Sequence, residues 1–444
     1  MRYNREMKIL LRHLPTGSIL LGITTFASYG AGLLRDRVLA QTFGAGRELD
    51  AYTAAFLLPD FLFNLLIASG IAAAVVPIVT DLLAKHKKEA FTYLNSVITA
   101  GTTVMGVVAI FLIIFSESIS KLVVPGFAPE DQVLVSSLLR ILALSPLFFS
   151  ISNALGAYLI VKRRYFFYGL SPIFYNFGII FGALFLTPSI GIEGVVYGTL
   201  LGALLHLGVR VIDAFQNDFS FQRALAFRTP EFRKTIHLMI PKMFGHPIEL
   251  ATFWGFTIFA SALAPGSIAI ISFARNFQSV PVSLIGITLA TTTFPLLATA
   301  LTHKNFTEFS HLLKKSFWLI LGGSLAAALF IFLIREPLIA LVFGGGAFTE
   351  ANIQTTALAL GFFTLSIPSE SLAHLLARAF YATKNTLIPV LISIVSFLLT
   401  IAGAWLLTPH MGIGALPLAF FIGSLLKLLL LLACLPLHLK KISR

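Results

Sequence analysis

The chain of 444 residues is 57% hydrophobic and only 11% charged, with a mean hydropathy of +0.90. Soluble domains carry about 25% charged residues, so too little polar surface is present to coat a globule; this excludes a soluble enzyme, a nucleic-acid-binding domain and a disordered scaffold. The formal net charge of +13, from 32 Lys+Arg against 19 Asp+Glu, then reads as basic residues gathered in the cytoplasmic loops of a membrane protein.

A bilayer span needs roughly 20 apolar residues. Such stretches predict about twelve helices, at 15–34, 51–82, 94–115, 132–160, 166–187, 191–211, 237–263, 266–299, 316–334, 352–382, 386–407 and 411–436. The first follows MRYNREMKILLRH, which resembles a signal-peptide n-region. With further spans behind it and no small-x-small cleavage site, it is read as a retained helix. Lys and Arg then cluster in alternate connections: Arg2 to Arg12, Lys85 to Lys88, Lys162 to Arg164, the long connection 212–236, Lys304 to Lys315, and the tail from Lys440 to Arg444. The intervening loops, such as TPSIGIEG, APGS and TPHMG, are poor in both. This asymmetry predicts both termini in the cytoplasm. The loop after the first span, with Arg35, Arg37 and Arg47, is discordant and asks for another role.

The sequence repeats itself. Residues 184–207 align without gaps to 405–428 at an offset of 221, sharing Thr-Pro and Gly-Ile; residues 74–91 answer to 292–309 at an offset of 218. With six spans between the copies, both have the same orientation, a parallel repeat about an axis along the membrane normal. The expectation is an all-α integral membrane protein of two pseudo-symmetric six-helix lobes around a central cavity. The boundaries are 1–211 for the N-terminal lobe, 212–236 for a cytoplasmic linker and 237–444 for the C-terminal lobe. Such repeats are typical of transporters.

Ionisable groups within spans cost about 2.5–3.5 kcal/mol each on insertion scales and usually face a cavity or a partner. Arg35 and Asp36 end the first apolar stretch, Asp50 opens the second, and Arg275 lies inside the eighth. A guanidinium there can hold phosphate bidentately, so Arg35, Arg37 and Arg275 are candidates for an anion site drawn from both lobes, with Asp36 balancing them. An interfacial ion pair is the competing reading of Arg35 and Asp36. Lys242, His246 and Glu249 share one face of the seventh span, as cavity lining or as its cytoplasmic end; Glu370, His374 and Arg378 do so in the tenth, with Glu370 best placed to reach a cavity. Pro59, Pro281 and Pro368 fall inside apolar stretches and should kink or hinge them. Lone Cys434 sits in an apolar run and reads as packing. No HExxH, GxSxG or Walker loop occurs, so no catalytic residues, metal or cofactor are expected.

Four stretches carry a resemblance across essentially the whole chain: GLLRDRVLAQTFGAGRELDAYTAAFLLPDFLFNLL (32–66), FARNFQSVPVSLIGITLATTTFPLL (273–297), VFGGGAFTEANIQTTALAL (342–360) and ARAFYATKNTLIPV (377–390). They resemble the MurJ/MviN lipid II flippases, a branch of the MOP exporter superfamily. The resemblance implies a flippase that carries an undecaprenyl-pyrophosphate-linked peptidoglycan precursor from the inner to the outer leaflet by alternating access, in the bacterial inner membrane. Arg35 and Asp36 match the family's first-span pair, Asp50 its loop aspartate and Arg275 its eighth-span arginine; Arg37 has no such counterpart in many relatives. Other positions depart from the pattern: Tyr29, Phe63 and Asn64 stand where relatives carry arginines, Asn385 where they often have aspartate, and about twelve spans stand against their usual fourteen. The implied partners are the lipid-linked precursor, membrane lipids and cell-wall synthesis proteins, with a monomer expected and no nucleic acid. An inside-negative potential would return a net-positive cavity to its inward-facing state. Alternatives are another exporter of the superfamily, for lipid-linked oligosaccharides or drugs, and a membrane-embedded enzyme or scaffold, for which Asp36, Asp50, Asp60 and Glu249 would be the nucleophile candidates.

Overall fold

Apolar runs of this length leave the backbone no water to bond to, so each span must close its own hydrogen bonds as a helix. The computed structural model describes residues 16–222, 225–243 and 247–442, and they are helical throughout apart from turns and an isolated bridge between Gly345 and Phe348. The terminal basic residues Arg2 to Arg12 and Arg444, together with Arg223 and His246 and the side chains of Lys242 and Glu249, lie outside the described residues. Eight helical segments among the described residues are long and apolar enough to cross a bilayer. They expose large apolar side chains such as Phe185, Trp318, Leu333 and Trp405, as contact with lipid tails requires.

The chain divides into two compact units. Unit 1 comprises 1–42, 51–122 and 129–247; unit 2 comprises 43–50, 123–128 and 248–444. The helices running through unit 1 are α1 (Thr16–Phe43), α2 (Arg47–Phe63), α3 (Ser69–Lys85), α4 (Lys87–Ile114), α5 (Ser116–Val123), α6 (Pro129–Leu142), α7 (Ser145–Val161), α8 (Tyr165–Phe181), α9 (Thr187–Ile190), α10 (Glu193–Gln216) and α11 (Pro230–Met243). Their core gathers Tyr93, Leu94, Met105, Leu155, Tyr158 and Phe219. The closest packing is α8 on α10. Gly178 and Gly182 face Gly194, Gly198 and Gly202, and a Cβ on Gly198 would stand 2.6 Å from the Gly178 carbonyl oxygen and 2.7 Å from the Gly182 Cα. Two small-xxx-small stripes thus bring the backbones into contact, the way helices associate where no hydrophobic drive separates lipid from leucine. The long connection does not behave as a free linker: α11 packs on α3 and α4, with the Tyr93 and Thr235 hydroxyls 2.5 Å apart. The long connection thus belongs with unit 1, whose last segment runs to residue 247.

Unit 2 holds α12 (Pro247–Ser261), α13 (Ser267–Pro281), α14 (Thr288–Thr302), α15 (Phe306–Phe343), α16 (Glu350–Thr364), α17 (Ser366–Ala382), α18 (Leu387–Met411) and α19 (Ala415–Ile442). Its core is built on Leu297, Phe309, Ile320, Leu375, Leu376, Phe380 and Leu431. Asn305 and Thr349 cap α15 and α16 by accepting from the backbone N–H three residues on. The Asn385 side chain accepts from the Ile388 N–H at the start of α18.

The sequence repeat is written into the backbone. Five-to-six-residue π turns occupy Asn64–Ala68 and Val282–Ile287, at the 218 offset. At the 221 offset, the breaks at Leu144 and Leu365 are each followed by a serine whose hydroxyl donates back to a carbonyl three residues earlier, Ser145 to Leu142 and Ser366 to Phe363. Arg163 and Lys384 both end a helix in the left-handed region, at φ 57° and 62°. Gly191 and Gly412 both turn the chain at positive φ, 63° and 55°, with ψ near −148° and −133°, a region open only to glycine.

The three prolines act in three ways. Pro59 stays within α2 and the irregular stretch comes one turn later, where the Asn64 amide donates to the Asp60 backbone and side-chain oxygens at 2.9 and 3.0 Å. Pro281 ends α13 and leads directly into the π turn, whose Ser283 carbonyl receives the Thr288 hydroxyl at 3.0 Å. Pro368 lies in the first turn of α17, where a missing N–H breaks no bond.

Candidate anion-binding arginines

In unit 1, α1 carries Arg35 and Asp36 next to each other. The Arg35 Nε and Nη2 donate to Asp36 Oδ1 at 2.9 and 2.6 Å, and Nη1 donates to the Asn176 Oδ1 of α8 at 3.0 Å. Asn176 is itself oriented, because its amide nitrogen donates to the Pro172 carbonyl at 3.0 Å. Asp36 is buried, and Arg35 keeps part of its surface exposed. Arg37 lies two residues on, about 200° around the helix from Arg35. Tyr29 and Phe63, at positions where the family pattern has arginine, are exposed and buried respectively.

In unit 2, α13 presents Arg275 to α17. Its Nη2 stands 3.6 Å from Glu370 Oε1, its Nη1 donates to Gln278 Oε1, and Gln278 Nε2 donates to Glu370 Oε2 at 2.6 Å and to the Ser366 hydroxyl at 3.1 Å. Ser366 and Glu370 lie just after the helix break at Leu365. The guanidinium packs against a pair of touching rings, with its carbon 4.7 Å from the Phe253 centroid and 5.4 Å from that of Phe420, the two centroids being 5.6 Å apart. A planar cation packed against aromatic rings is held in orientation by them. Only 14% of the Arg275 side chain and 12% of Glu370 are exposed, so removing either partner would leave a charge poorly solvated.

The two clusters have the same composition, an arginine paired with one carboxylate and one amide. Sequence reasoning found the arginines and carboxylates but missed Asn176 and Gln278, the amides standing in otherwise apolar stretches. It also missed Arg210, buried in α10, which donates to the Ser171 hydroxyl, the Ser152 carbonyl and Asn153 Oδ1 and lies 4.6 Å from the Tyr168 ring centroid. Arg210 ties α7, α8 and α10 together.

Asp50 has a structural role in unit 2. It is fully buried, and its two carboxylate oxygens accept the backbone N–H groups of Gly266 and Ala269 at 2.7 and 2.8 Å. That caps the N-terminus of α13, where a carboxylate is favoured by the orphan donors and the helix dipole. The same segment, 43–50, and the segment 123–128 belong to unit 2, and the Arg47 guanidinium carbon lies 4.2 Å from the Phe127 ring centroid. Asp50 thereby fixes the helix that carries Arg275.

The chain is similar to known proteins over most of its length. The MurJ relative of Buchnera aphidicola subsp. Schizaphis graminum is 28% identical over 392 residues, covering 86% of this chain and 75% of the relative. That of Burkholderia cenocepacia is 25% identical over 416 residues, covering 92% and 81%. Among solved structures, a lipid II flippase MurJ in an inward closed conformation superposes with a TM-score of 0.82 at 25% identity, covering 94% of this chain and 87% of that one. An inward-facing multidrug MATE transporter of the MOP superfamily shares the fold at 13% identity, with a TM-score of 0.78 and coverage of 97% and 99%. The profile of the family described as "Lipid II flippase MurJ", a transporter and not an enzyme family, matches residues 39–443, and the chain belongs to that family.

Proposed function

We propose that this chain moves lipid II from the inner to the outer leaflet of the bacterial cytoplasmic membrane by alternating access, with both termini cytoplasmic, and that Arg35 and Arg275 bind the pyrophosphate linkage. The observation that carries the site assignment is the Arg275–Glu370–Gln278 cluster: an oriented guanidinium, nearly buried, already engaged by a carboxylate of its own chain. A bare buried cation would be costly. With Glu370 in place the charge is balanced while the protein is empty, and binding becomes the exchange of one oxyanion for another. Gln278 bridges arginine and carboxylate and holds both in register during that exchange. The Arg35–Asp36–Asn176 cluster offers the same exchange in unit 1. Charge in the cytoplasmic loops supports the orientation.

The test is native mass spectrometry of the purified protein with lipid II, other undecaprenyl-pyrophosphate glycolipids and the bare carrier lipid. Loss of a charge-assisted bidentate contact of about 1.5–3 kcal/mol lowers affinity roughly 10- to 100-fold. Lipid II binding is expected to exceed the others and to fall by that factor in Arg275→Ala. Equal binding by wild type and Arg275→Ala, in folded protein, would remove the arginine from the site.

A further inference from the structure

The helix that holds Glu370 has a second polar position which the Arg275 cluster does not use. His374 and Arg378 follow Glu370 on one face of α17, at four-residue steps. There, α14 and α17 enclose a cavity of about 350 Å³ lined by Phe294, His374, Ala377, Arg378 and Tyr381, all in unit 2. Arg378 is half-buried. Its Nη2 donates to the Thr291 hydroxyl at 2.8 Å and its Nη1 to the His374 carbonyl at 3.2 Å, which fixes the guanidinium and leaves three of its five N–H donors for another partner. Arg35, Arg140, Arg164 and Arg275 all pair with a carboxylate, namely Asp36, Glu117, Asp213 and Glu370. Arg378 pairs with none among the described residues. A fixed, half-buried guanidinium without its own anion, beside an imidazole and a phenol in an open cavity, fits a phosphate or diphosphate oxyanion.

We infer that the Arg378 cavity is a second oxyanion site, which takes the diphosphate of the lipid-linked substrate before Arg275 does. The inference rests on the flippase reading above. Eight residues of helix separate Glu370 from Arg378, about 12 Å, so the two sites are distinct stations along one helix. Under the proposed orientation α17 descends toward the cytoplasm and the turn holding Lys384, which puts Arg378 on the loading side of Arg275. A headgroup captured there has its charge partly neutralised before it is drawn deeper into low dielectric, where an unpaired anion costs most.

Binding of farnesyl pyrophosphate to the full-length protein in detergent, by titration calorimetry, reads the site without requiring flipping. Arg35→Ala combined with Arg275→Ala is expected to keep a residual binding event, and the triple variant that adds Arg378→Ala to lose it by at least about tenfold, with Arg378→Lys in place of Ala restoring part of it. In proteoliposomes Arg378→Ala is expected to raise KM for lipid II about tenfold with kcat nearly unchanged, the mark of a loading contact. Identical residual binding in the double and triple variants, both with wild-type melting temperatures, overturns the second site. Competition by phosphatidylglycerol as strong as by inorganic pyrophosphate also overturns it, since the cavity would then serve bulk lipid. Wild-type protein that binds farnesyl pyrophosphate at Arg378 but flips no lipid II would instead sink the flippase reading and leave the site standing.

Discussion

At Arg275 the competition between an internal carboxylate and an external diphosphate sets both affinity and release. Glu370 lies 3.6 Å from the guanidinium and is tied by a 2.6 Å bond to Gln278, so it is positioned to retake the arginine as the substrate leaves. Glu370→Gln keeps the shape and one acceptor but removes the charge that competes. Its expected effect is tighter lipid II binding, by about tenfold for the loss of one competing charge contact of roughly 1.5 kcal/mol, together with slower turnover. Affinity from native mass spectrometry and rate from a proteoliposome assay separate the two; a variant weaker in both would show that Glu370 only supports the fold. The sequence disclosed Arg275 because an arginine eight residues into an apolar stretch is conspicuous, and Glu370 because it recurs with His374 and Arg378 at helical spacing. It did not disclose that Glu370 and Arg275 meet, since that depends on how two distant helices pack.

Among the elements, the contact of α8 with α10 depends on glycine more than any other packing in unit 1. The spacing Gly178, Gly182 and Gly194, Gly198, Gly202 is plainly in the sequence, yet reading apolar runs for length alone passes over it, because hydropathy does not register which helix face lacks side chains. Gly198→Ala would place a methyl group 2.6 Å from the Gly178 oxygen, and backbone on both sides cannot yield as a side chain would. A destabilisation of about 1–3 kcal/mol is expected from such overpacking, visible as a lower melting temperature in detergent. Gly208→Ala, on the same helix with open space around it, is the control and should change little. Asp50 teaches the complementary lesson. Its place at the opening of the second span and its match to the family's loop aspartate made it a site candidate, and in the structure both of its carboxylate oxygens accept from the α13 N-terminus. An acidic residue can be equally exceptional in sequence for capping a helix 216 residues away.

For the whole molecule, the repeat was the most legible feature of the sequence, and the backbone carries it further than residue identity does. The paired π turns, the paired serine breaks and the glycine turns at 191 and 412 recur where few residues match. The arginine–carboxylate pairing also recurs in both units, and this changes the expected response to membrane potential. A net-positive cavity would make the return of the empty protein the voltage-driven step. Arg35 and Arg275, however, each pair with a carboxylate in their own unit, so these clusters carry little net charge when empty. The anionic diphosphate then supplies the moving charge, and an inside-negative potential favours its outward passage by up to about 2.3 kcal/mol per charge per 100 mV. Flipping of lipid II in proteoliposomes under a potassium diffusion potential is therefore expected to accelerate severalfold when the loading side is made negative, with the effect in the loaded step. Glu370→Gln adds one uncompensated positive charge to the Arg275 cluster, offsets part of the charge on the substrate and should flatten that dependence. A wild-type rate indifferent to potential, or an equal slope in Glu370→Gln, would show that the charge carried through the field is not the one balanced at Arg275.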